Sequence, residues 1–133
     1  MKVVEIGLYS LLSGDATLSG YAPGGVWRNI APAGTDGVVV TFGQQSSVDT
    51  YTFSERAMVD MLYQVKAVAP GGSAGTAWDA ADRIDSLLTD GSLTIGSGTV
   101  LRVRRQSSIS LTETDGGETY QHVGGIYAIT VQE

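Results

Sequence analysis

From Met58 to Ala69 the side chains alternate, with Val59, Met61, Tyr63, Val65 and Ala67 separated by Asp60, Leu62, Gln64 and Lys66. This period of two predicts a half-buried strand, because successive side chains of an extended chain point to opposite faces. Pro70, Gly71 and Gly72 end it, since proline has no N–H for a ladder and glycine turns at little steric cost. The period then lengthens. Ala77, Ala81, Ile84 and Leu88, joined by Trp78 and Leu87, recur at helical spacing, while Asp79, Asp82, Arg83 and Asp85 take the other side. Thr76 is the expected N-cap, with Asp79 in the first turn, and Gly91 the expected stop. Trp78 is expected in the core.

Further on, Leu101 and Val103 alternate with Arg102 and Arg104, and Val123, Gly125, Tyr127, Ile129 and Val131 alternate with more polar positions. An antiparallel pair is predicted. The connection Gln106 to Gly117 is polar and reads as a loop projecting beyond the sheet, with a hairpin signal at Asp115-Gly116. At the amino end Val4, Leu8 and Leu11, with Val3 and Leu12, share one helical face that Gly14 is placed to end. Val26 to Ile30 and Val38 to Phe42 read as short strands joined in a hairpin, and Gln44 to Ser54 as a polar loop. The order α-β-β-β-α-β-β defines an α+β fold: a mainly antiparallel sheet with an N-terminal helix and a second helix packed on it. The 133 residues fit one domain, 1–133, without a repeat or dividing linker.

Charge and composition narrow the functions. A formal net charge of −6 disfavours general affinity for nucleic acid, which needs a concentrated basic surface. Cys is 0, which removes disulfides, thiolate metal sites and cysteine nucleophiles and suits a reducing cytoplasm. The first residues carry Lys2 but also Glu5 and no cleavage signal, so they do not read as a leader. No stretch approaches the roughly 20 apolar residues that span a bilayer, and a soluble protein with no membrane partner is expected.

Candidate chemistry is sparse. His122, the only histidine, lies on the less apolar face of the last strand. Asp79, Asp82 and Asp85 recur every three residues, either as a cation site completed from elsewhere or as a solvated face. Gly24-Gly25, Gly71-Gly72 and Gly116-Gly117 match no phosphate-binding pattern and read as turns, and Gly124-Gly125 as a bulge or a close backbone approach. No catalytic, cofactor-binding or metal-binding residue is assigned. Arg102, Arg104 and Arg105 form the basic cluster, either a charged outer face or a docking site for carboxylates of a neighbouring subunit. Trp27 is either core or an interface anchor.

In this order of elements the chain resembles the tail terminator or tail completion proteins of long-tailed bacteriophages. The likeness is carried by the N-terminal helix running into Gly14-Asp15-Ala16-Thr17-Leu18, the Val26-Trp27 and Val38 to Phe42 strands around Pro32, and the Tyr63-Gln64-Val65 strand. The helix Ala77 to Leu88, then Leu101-Arg102-Val103 and Tyr120 to Val131, complete it. The chain departs from the pattern where Thr35-Asp36-Gly37 precede Val38. The resemblance implies a non-enzymatic virion protein, assembled in the host cytoplasm as a homo-oligomeric, hexameric ring at the head-proximal end of the tail. Its partners would be the tail tube protein and the head connector or head-completion protein, with DNA passing through the lumen without specific binding. Ring contacts are expected at Arg102, Arg104, Arg105 and Trp27, at Asp49 in the first polar loop, and at Glu113 and Asp115 in the second. The alternatives are a head-closure or neck adaptor on the portal side, and an unrelated small binding domain.

Overall fold

The alternation around Met58–Ala69 forms strand β3 (Arg56–Pro70) in the computed structural model, which describes residues 1–89 and 93–133. Gly91, the expected helix stop, lies outside the described residues. β3 is the middle of a sheet with β1 (Val26–Arg28), β2 (Val39–Tyr51), β4 (Thr99–Asp115) and β5 (Glu118–Gln132), in the order β1-β2-β3-β5-β4. Helices α1 (Lys2–Ser13), α2 (Ala16–Tyr21) and α3 (Ala74–Leu88) pack on one face. That face carries Val40, Phe42, Val59, Met61, Tyr63, Val65, Val123, Tyr127, Ile129 and Val131, all buried. The other face has no helix among the described residues.

Helix α1 buries Val4, Leu8 and Leu12 at a spacing of four, each worth about 1.5–3 kcal/mol of transfer free energy. Gly7 lets the chain at Thr94 approach: a Cβ there would lie 2.6 Å from the Thr94 carbonyl oxygen. Gly14 ends the helix as expected, in a right-handed conformation (φ −82°). The chain then starts α2, an element the periodicity does not reveal because its six residues bury only Leu18. Asp15 starts it by accepting a 2.8 Å hydrogen bond from the Leu18 amide.

Five expectations change. The Val26 and Val38 strands pair in parallel, Val26 to Val40 and Arg28 to Phe42, instead of as a hairpin, because the chain between them returns to the starting end of the sheet. Gln44 to Ser54 is mostly strand: β2 runs to Tyr51 against β3, and only the tip Thr52–Glu55 turns. Gln106 to Asp115 is likewise the outer half of β4, and the two-residue turn that follows is Gly116-Gly117, both at positive φ, one residue beyond the Asp115-Gly116 signal. Ser73, not Thr76, is the N-cap of α3, and no side chain closes it. Trp78 is 51% exposed, because Ala77, Ala80 and Ala81 fill the space between α3 and the sheet and leave no room for an indole.

Candidate assembly surface

Among the described residues β4 has a partner on one side only, β5. At the far side of the sheet, β1 covers β2 only from Val40 to Phe42, so among the described residues Gly43 to Tyr51 is paired to β3 alone. The register places these open edges at one level. Val48 is opposite Asp60, Asp60 opposite Thr130, and Thr130 opposite Arg102; likewise Ser46, Leu62, Ala128 and Arg104 form one row. Open edges of this length are templates for another strand.

Arg102 and Arg104 are exposed, stand on the helix-free face, and have no carboxylate within 4.0 Å among the described residues. A bulge at Leu101 interrupts the expected alternation, so Val103 is buried while Leu101 stays 48% exposed. Arg105 turns to the helical face, where its Nε lies 3.9 Å from Asp85. Asp85, which the periodicity placed outward, is half-buried and accepts from the Tyr127 hydroxyl and from Thr89, each at 3.1 Å. Burial, reinforced by the Asp85 charge, pushes the Tyr127 phenol far above its ordinary range.

Asp49 lies on the open part of β2, 3.9 Å from Arg56, which is itself held by Glu133. Trp27 is partly exposed on β1, its indole N–H donating to the Gly24 carbonyl at 2.8 Å. Glu113 and Asp115 lie at the other end of the sheet, beside the β4–β5 turn. The structure thus brings Arg102, Arg104 and Asp49 to one end, ties Arg105 inward, and leaves Trp27, Glu113 and Asp115 apart from them. The periodicity missed Val48, Tyr51 and Phe53, which are 62%, 66% and 113% exposed on β2 and its tip. Three large apolar residues within a stretch otherwise rich in polar ones were the signal.

His122 is buried on the helix-free face, with Nε2 3.1 Å from a Glu113 carboxylate oxygen and Nδ1 unpartnered among the described residues. It borders a cleft of about 850 Å³ between the chain at Asn29–Gly37 and the sheet, lined also by Val39, Lys66, Val68 and Tyr120. Burial lowers the Lys66 pKa, partly offset by the Glu113 charge. No hydroxyl nucleophile is hydrogen-bonded to His122 among the described residues. Asp79, Asp82 and Asp85 do not join a group of three or more metal-ligating side chains among those residues. Gly124-Gly125 is a close backbone approach: a Cβ on Gly124 would lie 2.3 Å from the Val65 carbonyl, and one on Gly125 2.9 Å from that of Ser107. The bulge is in the facing strand, between Arg105 and Ser107.

The sheet therefore ends in two open strand edges, and the described residues bring together no metal-ligating cluster. The family described as tail completion protein gp17 matches residues 7–130, and the chain belongs to it. It is therefore a structural virion protein, not an enzyme. Among solved structures, a chain described as "Virion of native gene transfer agent (GTA) particle" superposes with a TM-score of 0.78 and 16% identity, over 99% of this chain and 96% of that one. A second solved chain gives a TM-score of 0.61 at 16% identity, over 99% and 95%. At that identity the likeness is one of fold. No curated protein matches the sequence.

Proposed function

We propose that this protein is a tail terminator: copies of it close into a hexameric ring on the head-proximal end of the tail tube, stop its polymerisation and present a surface for head joining. The observation that carries this reading is the pair of open strand edges on opposite sides of one sheet. Different patches on opposite sides make head-to-tail contacts, which close into a ring when the rotation between copies allows it. One patch holds Arg102 and Arg104, with Arg105 braced behind them on Asp85, and the other holds Asp49, with Trp27 further along. Glu113 and Asp115, at the tip of the β4–β5 hairpin, are placed to meet the tube or the head connector.

DNA passes such a ring without specific binding. On the helix-free face Lys66, Arg102 and Arg104 are interspersed with Asp60 and Glu113, so no concentrated basic track forms, and the whole chain is acidic. Negative-stain imaging of the purified protein, alone and with tube subunits, tests the reading. Rings capping tubes of arrested length support it; tubes that grow unchecked beside unassembled protein refute it. Capture by portal-side protein with no capture by tube protein would assign it to the neck instead.

A further inference from the structure

We propose that neighbouring copies join strand to strand: the first half of β4, Val100 to Arg105, adds antiparallel to the open part of β2, Gln44 to Thr50, of the next copy. This rests on the ring reading and names the contact that builds the ring.

Direction follows from topology. β2 is antiparallel to β3, β3 to β5, and β5 to β4, so β2 and β4 run in opposite senses. Rotation about an axis along the strands therefore sets β4 of one copy antiparallel to β2 of the next, without tilting either sheet. Height follows from register, since Val48 shares a row with Arg102 and Ser46 with Arg104. A rotation that preserves height brings those segments edge to edge, and strand tilt shifts the match by a residue or two.

The side chains select this pairing over its competitors. Irregularities at Leu101 and Gln106 bracket a regular run from Arg102 to Arg105, and others near Gln45 and after Thr50 bracket a similar run from Ser46 to Thr50. Two β4 edges meeting each other would oppose Arg102 and Arg104 to their own copies, a like-charge clash. The β2 run from Ser46 to Thr50 carries no cation to repel the arginines, and its one charge, Asp49, lies opposite Val59 on the helical face, so this is the edge without a like-charge clash. The exposed side chains Val48 and Tyr51 on β2 and Leu101 on β4 lie at this level and would lose contact with water.

Engineered cysteines test the proposal cleanly, because Cys is 0 in the natural chain. Variants carrying Val48→Cys with Arg102→Cys, Ser46→Cys with Arg104→Cys, and the combinations shifted by two residues are assembled on tube subunits and oxidised. A disulfide needs Cα atoms about 4.4–6.8 Å apart, so only adjoining strands link. The expected result is a ladder of linked copies from a double variant, dimers from mixed single variants, and monomers from each single variant alone. Rings that image normally but link in no combination overturn the strand pairing and leave the ring reading standing. Links between identical single variants, or to the tube subunit only, overturn it by naming another occupant. No ring on any tube overturns both. As a check free of substitutions, amide exchange in Gln44–Thr50 and Val100–Arg105 of the natural protein should slow at least tenfold on assembly; unchanged exchange within rings rejects the pairing.

Discussion

Arg83 on α3 grips Asp15 with two nitrogens, at 2.9 and 2.7 Å, while the same carboxylate caps α2 through the Leu18 amide. One side chain therefore fixes the start of a six-residue helix and docks it on the helix that covers the sheet. Hydrogen bonding to Arg83 is the main cause that lowers the Asp15 pKa, with the Leu18 amide and the Arg83 charge adding to it against the opposing effect of burial.

Replacing Asp15 with Ala removes cap and clamp together and should lower stability by about 1–2 kcal/mol, whereas Asn, which retains the capping oxygen, should cost less. Urea unfolding midpoints of the two variants check the order. Because the folded pKa lies below the ordinary 3.8, the contribution of Asp15 is full above that value and is lost as pH falls through the folded pKa. Acid unfolding of Asp15→Asn should accordingly show a weaker pH dependence below 3.8 than the natural protein.

Tyr63 predicts behaviour at the alkaline end. It faces Tyr127 across β3 and β5, fully buried, and burial, aided by the Glu5 charge, pushes its pKa up to about 12. A raised pKa means that folding favours the protonated phenol, so this stability is complete below the ordinary value of 10 and is lost as pH rises towards about 12. Tyr63→Phe should lessen the steepness of alkaline unfolding, read as the fall in urea midpoint across that interval. An unchanged slope would count against it.

Glycines divide by what surrounds them. Gly124→Ala would drive a methyl to 2.3 Å from the Val65 carbonyl and 2.4 Å from the Lys66 Cα, both backbone, and should cost about 3 kcal/mol or more. Gly75→Ala, in the first turn of α3 with nothing within 4 Å, should stabilise by about 0.5–1 kcal/mol. Thermal melts of the two variants should move in opposite directions.

Charge reversal at Arg104 separates assembly from folding. Arg104 is exposed, with no partner among the described residues, so Arg104→Glu should leave the melting temperature unchanged while reducing ring yield on tube subunits severalfold. Sedimentation of assembled and free protein reads the effect, and rings at the natural yield would displace Arg104 from the contact.

Elements that bury one face were legible because burial imposes a period on the residues. Val59 to Ala67, Val4 to Leu12 and Ala77 to Leu88 each show it, and the Gly116-Gly117 turn shows in its own local chemistry. The outer halves of β2 and β4 have both faces in water, so Gln44 to Tyr51 and Gln106 to Asp115 read as loops although they are strands. Their extended shape comes from the hydrogen bonds of β3 and β5, partners that no local pattern names. The arginines and Asp49 could likewise be picked out by residue type, whereas their common level on opposite edges could not.

The sequence alone determined which segments turn a face to the core, the acidic balance and the absence of cysteine, since each depends only on residue identity and short-range spacing. Tertiary structure decided that β1 joins β2 in parallel, that Trp78 faces solvent, and that two edges stay open at one height. Those outcomes depend on which distant segments pair and on the space left between packed layers, quantities that exist only once the chain has closed on itself.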